Sequence, residues 1–253
     1  MFKNANPRAL IPKGIRFLRS RGLLKNGPSH RIAKLQGYIA RNAFIDRSVQ
    51  VLGWDSVRIG AHSVLSENTW LNVNHRLSDQ RINIGECCFI GRRNFFSTGG
   101  RIIIGDYCMT SIDCSFLGAG HLFDDPTVPY LFQGVDNYGD ITIGCNVWLS
   151  AHVSIIGNVE IGFGSIIGAG AIVTSSVPPL AMAIGTPARV TRLFDWQDKC
   201  WKSVSRDSVT FSAEIARHIL RLPAPEIFLA RVKAASKGRR PPALAAGAFW
   251  GEA

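Results

Sequence analysis

The chain has 253 residues, 46% hydrophobic and 19% charged, which excludes a disordered polymer and a minimal disulfide scaffold and leaves one or two globular domains. Twenty-nine Lys and Arg against 18 acids give a net charge of +11, a total that on its own points to nucleic acid or an anionic membrane surface. Six cysteines without a secretory leader pattern, and no apolar run near the roughly 18 residues that span a bilayer, predict a reduced, cytoplasmic protein, with peripheral contact to the inner membrane face as the variant to test.

Taken in chain order, residues 1–45 form a basic N-terminal extension with ten Lys or Arg and no acid. Within it, 8–35 is predicted helical, with Ile11, Ile15 and Leu18 on one face. Such a segment either docks on anionic lipid or packs on the end of the fold. From residue 46 the balance reverses: residues 46–195 hold nine bases and thirteen acids.

A repeat organises 46–192. In three stretches of 18 residues (59–76, 84–101 and 104–121), sides start at Ile59, Leu65 and Leu71, at Ile84, Ile90 and Phe96, and at Ile104, Thr110 and Phe116. The frame is clearest from Ile143, with Leu149, Ile155, Ile161, Ile167 and Val173 following at intervals of six, and Val147, Val153, Val159, Ser165 and Ala171 at the small position. Period six fits neither a helix nor a free alternating strand. It fits short flat strands joined by tight corners, three to a coil, with Gly or Asn supplying positive φ at the corners and stacked coils burying a common aliphatic ladder. In that frame Cys88, Cys108 and Cys114 are compact inward fillers, and no cysteine pair has zinc-site spacing. Residues 122–142, rich in Pro, Gly, Asn and Asp, read as a projecting loop, and loops of this length in a regular solenoid are usually functional.

Pro178, Pro179 and Pro187 end the repeat. Residues 193–253 form a C-terminal extension, in which 195–235 reads as helical and the last eighteen residues as loosely docked or disordered.

Among His30, His62, His75, His121, His152 and His218, only His121 closes a coil at the mouth of the long loop. Here the sequence resembles a known family. ITIGCNVWLSAHVSIIGNVEIGFGSIIGAGAIVTSSVPPLAMAIGTPARVTR (141–192) is similar to the end of the left-handed β-helix acyltransferases of the maltose/galactoside O-acetyltransferase type, and GHLFDDPTVPYLFQG (120–134) resembles their polysaccharide-biosynthesis branch. The resemblance covers roughly 59–192. It implies an all-β left-handed parallel β-helix with α-helical N- and C-terminal extensions, working as a homotrimer that uses acetyl-CoA and no metal to acetylate a sugar hydroxyl of a surface polysaccharide or glycan precursor.

By the same resemblance His121 is the general base that deprotonates the acceptor hydroxyl, which suits an imidazole near neutral pH. A backbone N–H between Trp148 and Ala151 holds the oxyanion. Trp148, Ala151, Ala169 and Thr174 line the coenzyme arm, and Arg189 and Arg192 meet its phosphates. The family's acceptor-contacting Asn and Asp fall at Gly91 and Gly99, which argues against a simple galactoside or maltose acceptor. Asn94, Asp113, Asp124 and Asp125 are the remaining candidates to orient His121 or touch an acceptor.

Other readings stay open at the level of sequence: a sugar amine or xenobiotic hydroxyl as acceptor, or a non-catalytic solenoid scaffold. A γ-type carbonic anhydrase, which shares this fold, needs a closely spaced His pair, whereas the nearest here, His62 and His75, are 13 apart. Nucleic-acid binding lacks a recognisable module.

Overall fold

A computed structural model describes residues 38–74, 81–205 and 207–241 of the chain. Parallel strands stack into three faces of a left-handed β-helix. The first face stacks Val57–Ile59, Ile82–Ile84, Ile102–Ile104, Ile141–Ile143 and Val159–Ile161, extended by the bridges Ile39 to Ile59 and Ile161 to Val177. The second runs from Phe44–Ile45 through Val64–Leu65, Phe89–Ile90, Met109–Thr110, Trp148–Leu149 and Ile166–Ile167 to Ala181–Ile184. The third stacks Gln50–Leu52, Trp70–Val73, Phe95–Thr98, Ser115–Leu117, Ser154–Ile156 and Ile172–Val173.

The aliphatic ladder lies inside the prism. Ile59, Ile84, Ile104, Ile143 and Ile161 stack in register on the first face, each at most 2% exposed. On the third face Phe96 and Phe116 stack with ring centroids 4.2 Å apart, between Leu71 and Ile155. The thiols of Cys88, Cys108 and Cys114 are buried in this ladder, as their small inward positions predict. Burial pushes the Cys114 thiol up to about 11.

Two glycine roles separate. Positive φ is carried mostly by other residues: His62, Cys87, Tyr107, Asn146 and Gly164 at the first vertex, and Asn68, Arg93, Asp113, His152 and Gly170 at the second, all between 53° and 69°. The glycine after each aliphatic residue serves close approach instead. A Cβ on Gly60 would lie 2.5 Å from Gly85 C, on Gly105 2.7 Å from Cys145 N, and on Gly144 2.5 Å from Phe163 N. The N–H groups of Gly60, Gly85, Gly105 and Gly144 each donate over 2.8 Å to the coil above. The expectation that these glycines supply positive φ is therefore corrected.

Spacing around the prism is unequal. From the first face to the second and on to the third, successive inward residues are always six apart, as in Ile39, Ile45, Val51 and in Ile104, Thr110, Phe116. The third vertex alone varies, from four residues (Val173 to Val177) to 27 (Phe116 to Ile143).

Three boundaries differ from the sequence reading. The solenoid starts at Ile39, inside the segment assigned to the basic extension, because Ile39, Ile45 and Val51 form a first coil. The projecting loop ends before Ile141, whose strand belongs to the ladder. Residues 195–203 are not helical: Arg189–Asp195 and Cys200–Ser203 form an antiparallel pair that extends the second face. Its turn is tied by Lys202, which pairs with Asp195 and Asp198. The helix expected over 8–35 and most of the final tail lie outside the described residues.

The loop carries the short helix α1 (Tyr130–Gln133), and two C-terminal helices follow, α2 (Ser208–Leu220) and α3 (Pro225–Ser236). The Asp207 carboxylate caps α2 by accepting from Thr210 N–H. Phe228 of α3 packs on Phe163 and Leu180, and Lys233 reaches Asp106 at 3.3 Å.

Candidate active site

His121 ends the strand Ala119–His121, which pairs antiparallel with Val135–Asn137 and opens a hairpin at the third vertex. Its side chain is exposed and makes no hydrogen bond to another described residue. Gly120 beside it leaves room for the Tyr138 ring, which a Cβ would strike.

The hairpin loop is ordered from within. Gln133 Nε2 donates to the Asp125 and Val128 carbonyls, each over 2.8 Å, and its Oε1 accepts from Asp125 N–H. The Asp125 carboxylate accepts from Thr127 N–H at 2.8 Å and Thr127 Oγ1 at 2.7 Å, and these bonds hold its pKa below the usual value. Asp125 thus shapes the loop rather than orienting His121. Asp124 is exposed on the same loop.

The second vertex forms a ridge. Arg93 grips Asp113 with two 2.8 Å bonds, which hold the Asp113 carboxyl below its ordinary pKa, and His152 Nδ1 lies 3.8 Å from the same carboxylate. Asp113 is therefore committed to this ridge and makes no contact with His121. Higher on the ridge, Gly170 N–H donates to Ala151 O at 2.8 Å, with Ala169 exposed beside it. The segment 185–188 lies across the ridge, bonded through Ile172 N–H to Gly185 O and Ala188 N–H to Ile172 O, and leads into Arg189.

Around the expected oxyanion position, the Trp148 and Ser150 N–H groups are spent on Ser165 O and Ile167 O. The Ala151 N–H has no acceptor among the described residues. Trp148 and Arg192 share one outward row of the second face, in the order Trp148, Ile166, Met182, Arg192. Thr174 stands exposed at the third vertex, two coils above His121.

Asn94 is 1% exposed, and its amide donates to the Gly91 carbonyl at 2.7 Å and the Ser111 carbonyl at 2.9 Å. It stitches neighbouring coils and cannot touch an acceptor, which corrects its candidacy. The sequence reading missed the Arg93, Asp113, His152 ridge, although all three share one hexapeptide position. Among the described residues no three His, Cys, Asp or Glu side chains converge as a metal site.

A period-six, left-handed β-helical solenoid is the fold of the hexapeptide-repeat acyltransferases. No protein-family model matches the chain. A Staphylococcus aureus (strain MRSA252) protein named as an acetyltransferase is 35% identical over 114 residues, 45% of this chain and 56% of that protein. Galactoside O-acetyltransferase of Escherichia coli (strain K12) is 35% identical over 146 residues, 54% of this chain and 66% of the enzyme. The chain thus spans a little over half the length of the first curated relatives it matches. Among solved structures, AntD, an N-acyltransferase from Bacillus cereus in complex with dTDP and coenzyme A, is similar with a TM-score of 0.54 at 22% identity, over 76% of this chain and 99% of its own, a likeness of fold.

Proposed function

We propose that the protein is an acyl-CoA-dependent acyltransferase that acetylates a sugar hydroxyl, of a surface polysaccharide or a glycan precursor, with His121 as general base. The observation that carries this reading is the ridge at the second vertex, where an Ala151 N–H without an acceptor among the described residues, exposed Ala169 and the start of Arg189 line up. The thioester carbonyl sits against Ala151 N–H, which stabilises the oxyanion as the acceptor oxygen attacks. The pantetheine follows Ala169 toward Arg189 and Arg192, whose guanidiniums take the phosphates. His121 Nε2 or Nδ1 removes the hydroxyl proton, the C–O bond forms, the C–S bond breaks, and coenzyme A leaves as the thiol once protonated.

One chain does not assemble this site. His121 stands at the third vertex and Ala151 at the second, a full face apart, about 20 Å for six extended residues. A second copy closes that gap, consistent with a homotrimer. The hairpin also exposes Phe123, Leu131 and Phe132, an apolar surface that a neighbouring copy would cover.

The test is coenzyme A release from acetyl-CoA against a panel of sugars, with and without His121→Ala. Turnover should fall by about 10²- to 10⁴-fold in the variant. Unchanged turnover would refute the base assignment. An amine acceptor is the second reading, because the fold is shared with an enzyme named as an N-acyltransferase. Amino sugars therefore belong in the panel.

A further inference from the structure

The C-terminal helices meet at a turn whose outer surface the other described residues leave uncovered. On α2, Ile215 packs on the solenoid core, and Leu222 just beyond it packs on the Phe163 and Phe228 cluster. The outer arc carries Ala216, Arg217 and Leu220, with Ile219, one turn from Ile215, and Arg221, just past the helix end, at its edges. Leu220 is 85% exposed and Ile219 51%, and across the turn Ile227 of α3 is 53% exposed.

Arg217 and Arg221 border this apolar tip, and Arg231 stands one turn from Ile227, over the Trp196 ring. Residues 208–241 as a whole hold seven Lys or Arg against two acids, with Arg239 and Arg240 at the far end of α3 beside Cys87 and Tyr107. Of the seven, only Lys233 has an ion-pair partner among the described residues. Glu226 borders the tip itself, while Asp195, which pairs with Lys202, and Glu214, which accepts from Ser205 N–H, line a cleft with Arg217 and Arg221. The exposed residues of the hairpin loop differ: Phe123 adjoins Asp124 and Asp125, which an anionic surface repels.

Solvent-exposed aliphatic side chains beside exposed guanidiniums that form no ion pair among the described residues match a negatively charged lipid interface. The aliphatic groups reach the acyl boundary while the cations meet headgroup phosphates. We infer that the α2–α3 turn docks the protein on an anionic bilayer, with Ile219, Leu220 and Ile227 entering the interface and Arg217 and Arg221 on the phosphates. The surface is independent of the coenzyme ridge and of His121.

The experiment is flotation of the full chain with vesicles of phosphatidylglycerol and phosphatidylcholine in equal parts, and with phosphatidylcholine alone, at low and high salt. Binding should require phosphatidylglycerol and be lost at high salt. Arg217→Gln and Arg221→Gln should each weaken it roughly fivefold, and Leu220→Glu at least as much. Circular dichroism and solution acyl transfer should match wild type in all three. The proposal is overturned if the chain floats with neither vesicle, if it floats equally with both, or if the variants bind like wild type. It is also overturned if Leu220→Glu changes self-association without lipid, since the tip is then an interface between copies.

Discussion

Gly144→Ala isolates the close-approach role of the glycine column. The new Cβ would stand 2.5 Å from Phe163 N and 2.8 Å from Phe163 Cα. Both obstacles are backbone, so no side chain can rotate aside, and the fifth and sixth coils must separate where Gly144 N–H donates to Ile161 O over 2.8 Å. Overpacking of this kind costs about 1–3 kcal/mol, and the stiffer unfolded chain returns about 0.4–1 kcal/mol. The expected net loss is about 1–2 kcal/mol, or roughly 2–8 °C in melting midpoint for a chain of this size. Gly170→Ala is the control: φ is +69° there but nothing lies within 4 Å of the added Cβ, leaving only left-handed strain of about 1 kcal/mol. Asn146→Gly, at a left-handed corner already occupied by a side chain, should be close to neutral. Urea and thermal unfolding of the three variants read the comparison. A Gly144→Ala protein as stable as wild type would show that the coils are not spaced by this glycine.

Three other outcomes follow from described contacts. Replacing Arg189 and Arg192 by Gln should raise the KM for acetyl-CoA with little change in kcat, because both residues are proposed to bind the coenzyme remote from the reacting carbonyl. Native thiol titration should label Cys200 first, the exposed cysteine, and reach Cys88, Cys108 and Cys114 only on unfolding. The Asp195 carboxyl is held down to about 2, first by Asp198 N–H and then by Lys202. Since the folded pKa lies below the ordinary 3.8, the hairpin gains stability above pH 4 and loses it as pH falls from there toward 2. An NMR titration should find that midpoint, and Lys202→Met should raise it only partway.

The ladder was legible because aliphatic side chains at a spacing of six have one packing solution, and every side start named from the sequence, from Ile59 to Val173, is buried. The first coil was hidden because Ile39 and Ile45 sit inside a basic run and the 3-10 turn Trp54–Ser56 delays the next coil. Glycine roles were misread because close backbone approach and positive φ select the same residue, and only the neighbouring coil distinguishes them. Asn94 follows a corner, where one residue's shift separates an outward side chain from one sealed inside the prism. The place of His121 at the mouth of the hairpin was legible from the interrupted repeat, whereas a backbone N–H such as that of Ala151, which has no acceptor among the described residues, carries no side-chain signal.

The unequal vertices bear on how such a protein acquires new substrates. Two corners are metered at six residues, so an insertion there would turn inward side chains outward until the next third vertex resets the frame. The third absorbs any length between Val51 and Ile59 as readily as between Phe116 and Ile143. It works as a splice port: the segment bearing His121 can be lengthened or shortened while the ladder and the ridge at the second vertex keep their register. The hairpin and the stability of the solenoid are thereby free to evolve on separate stretches of one chain.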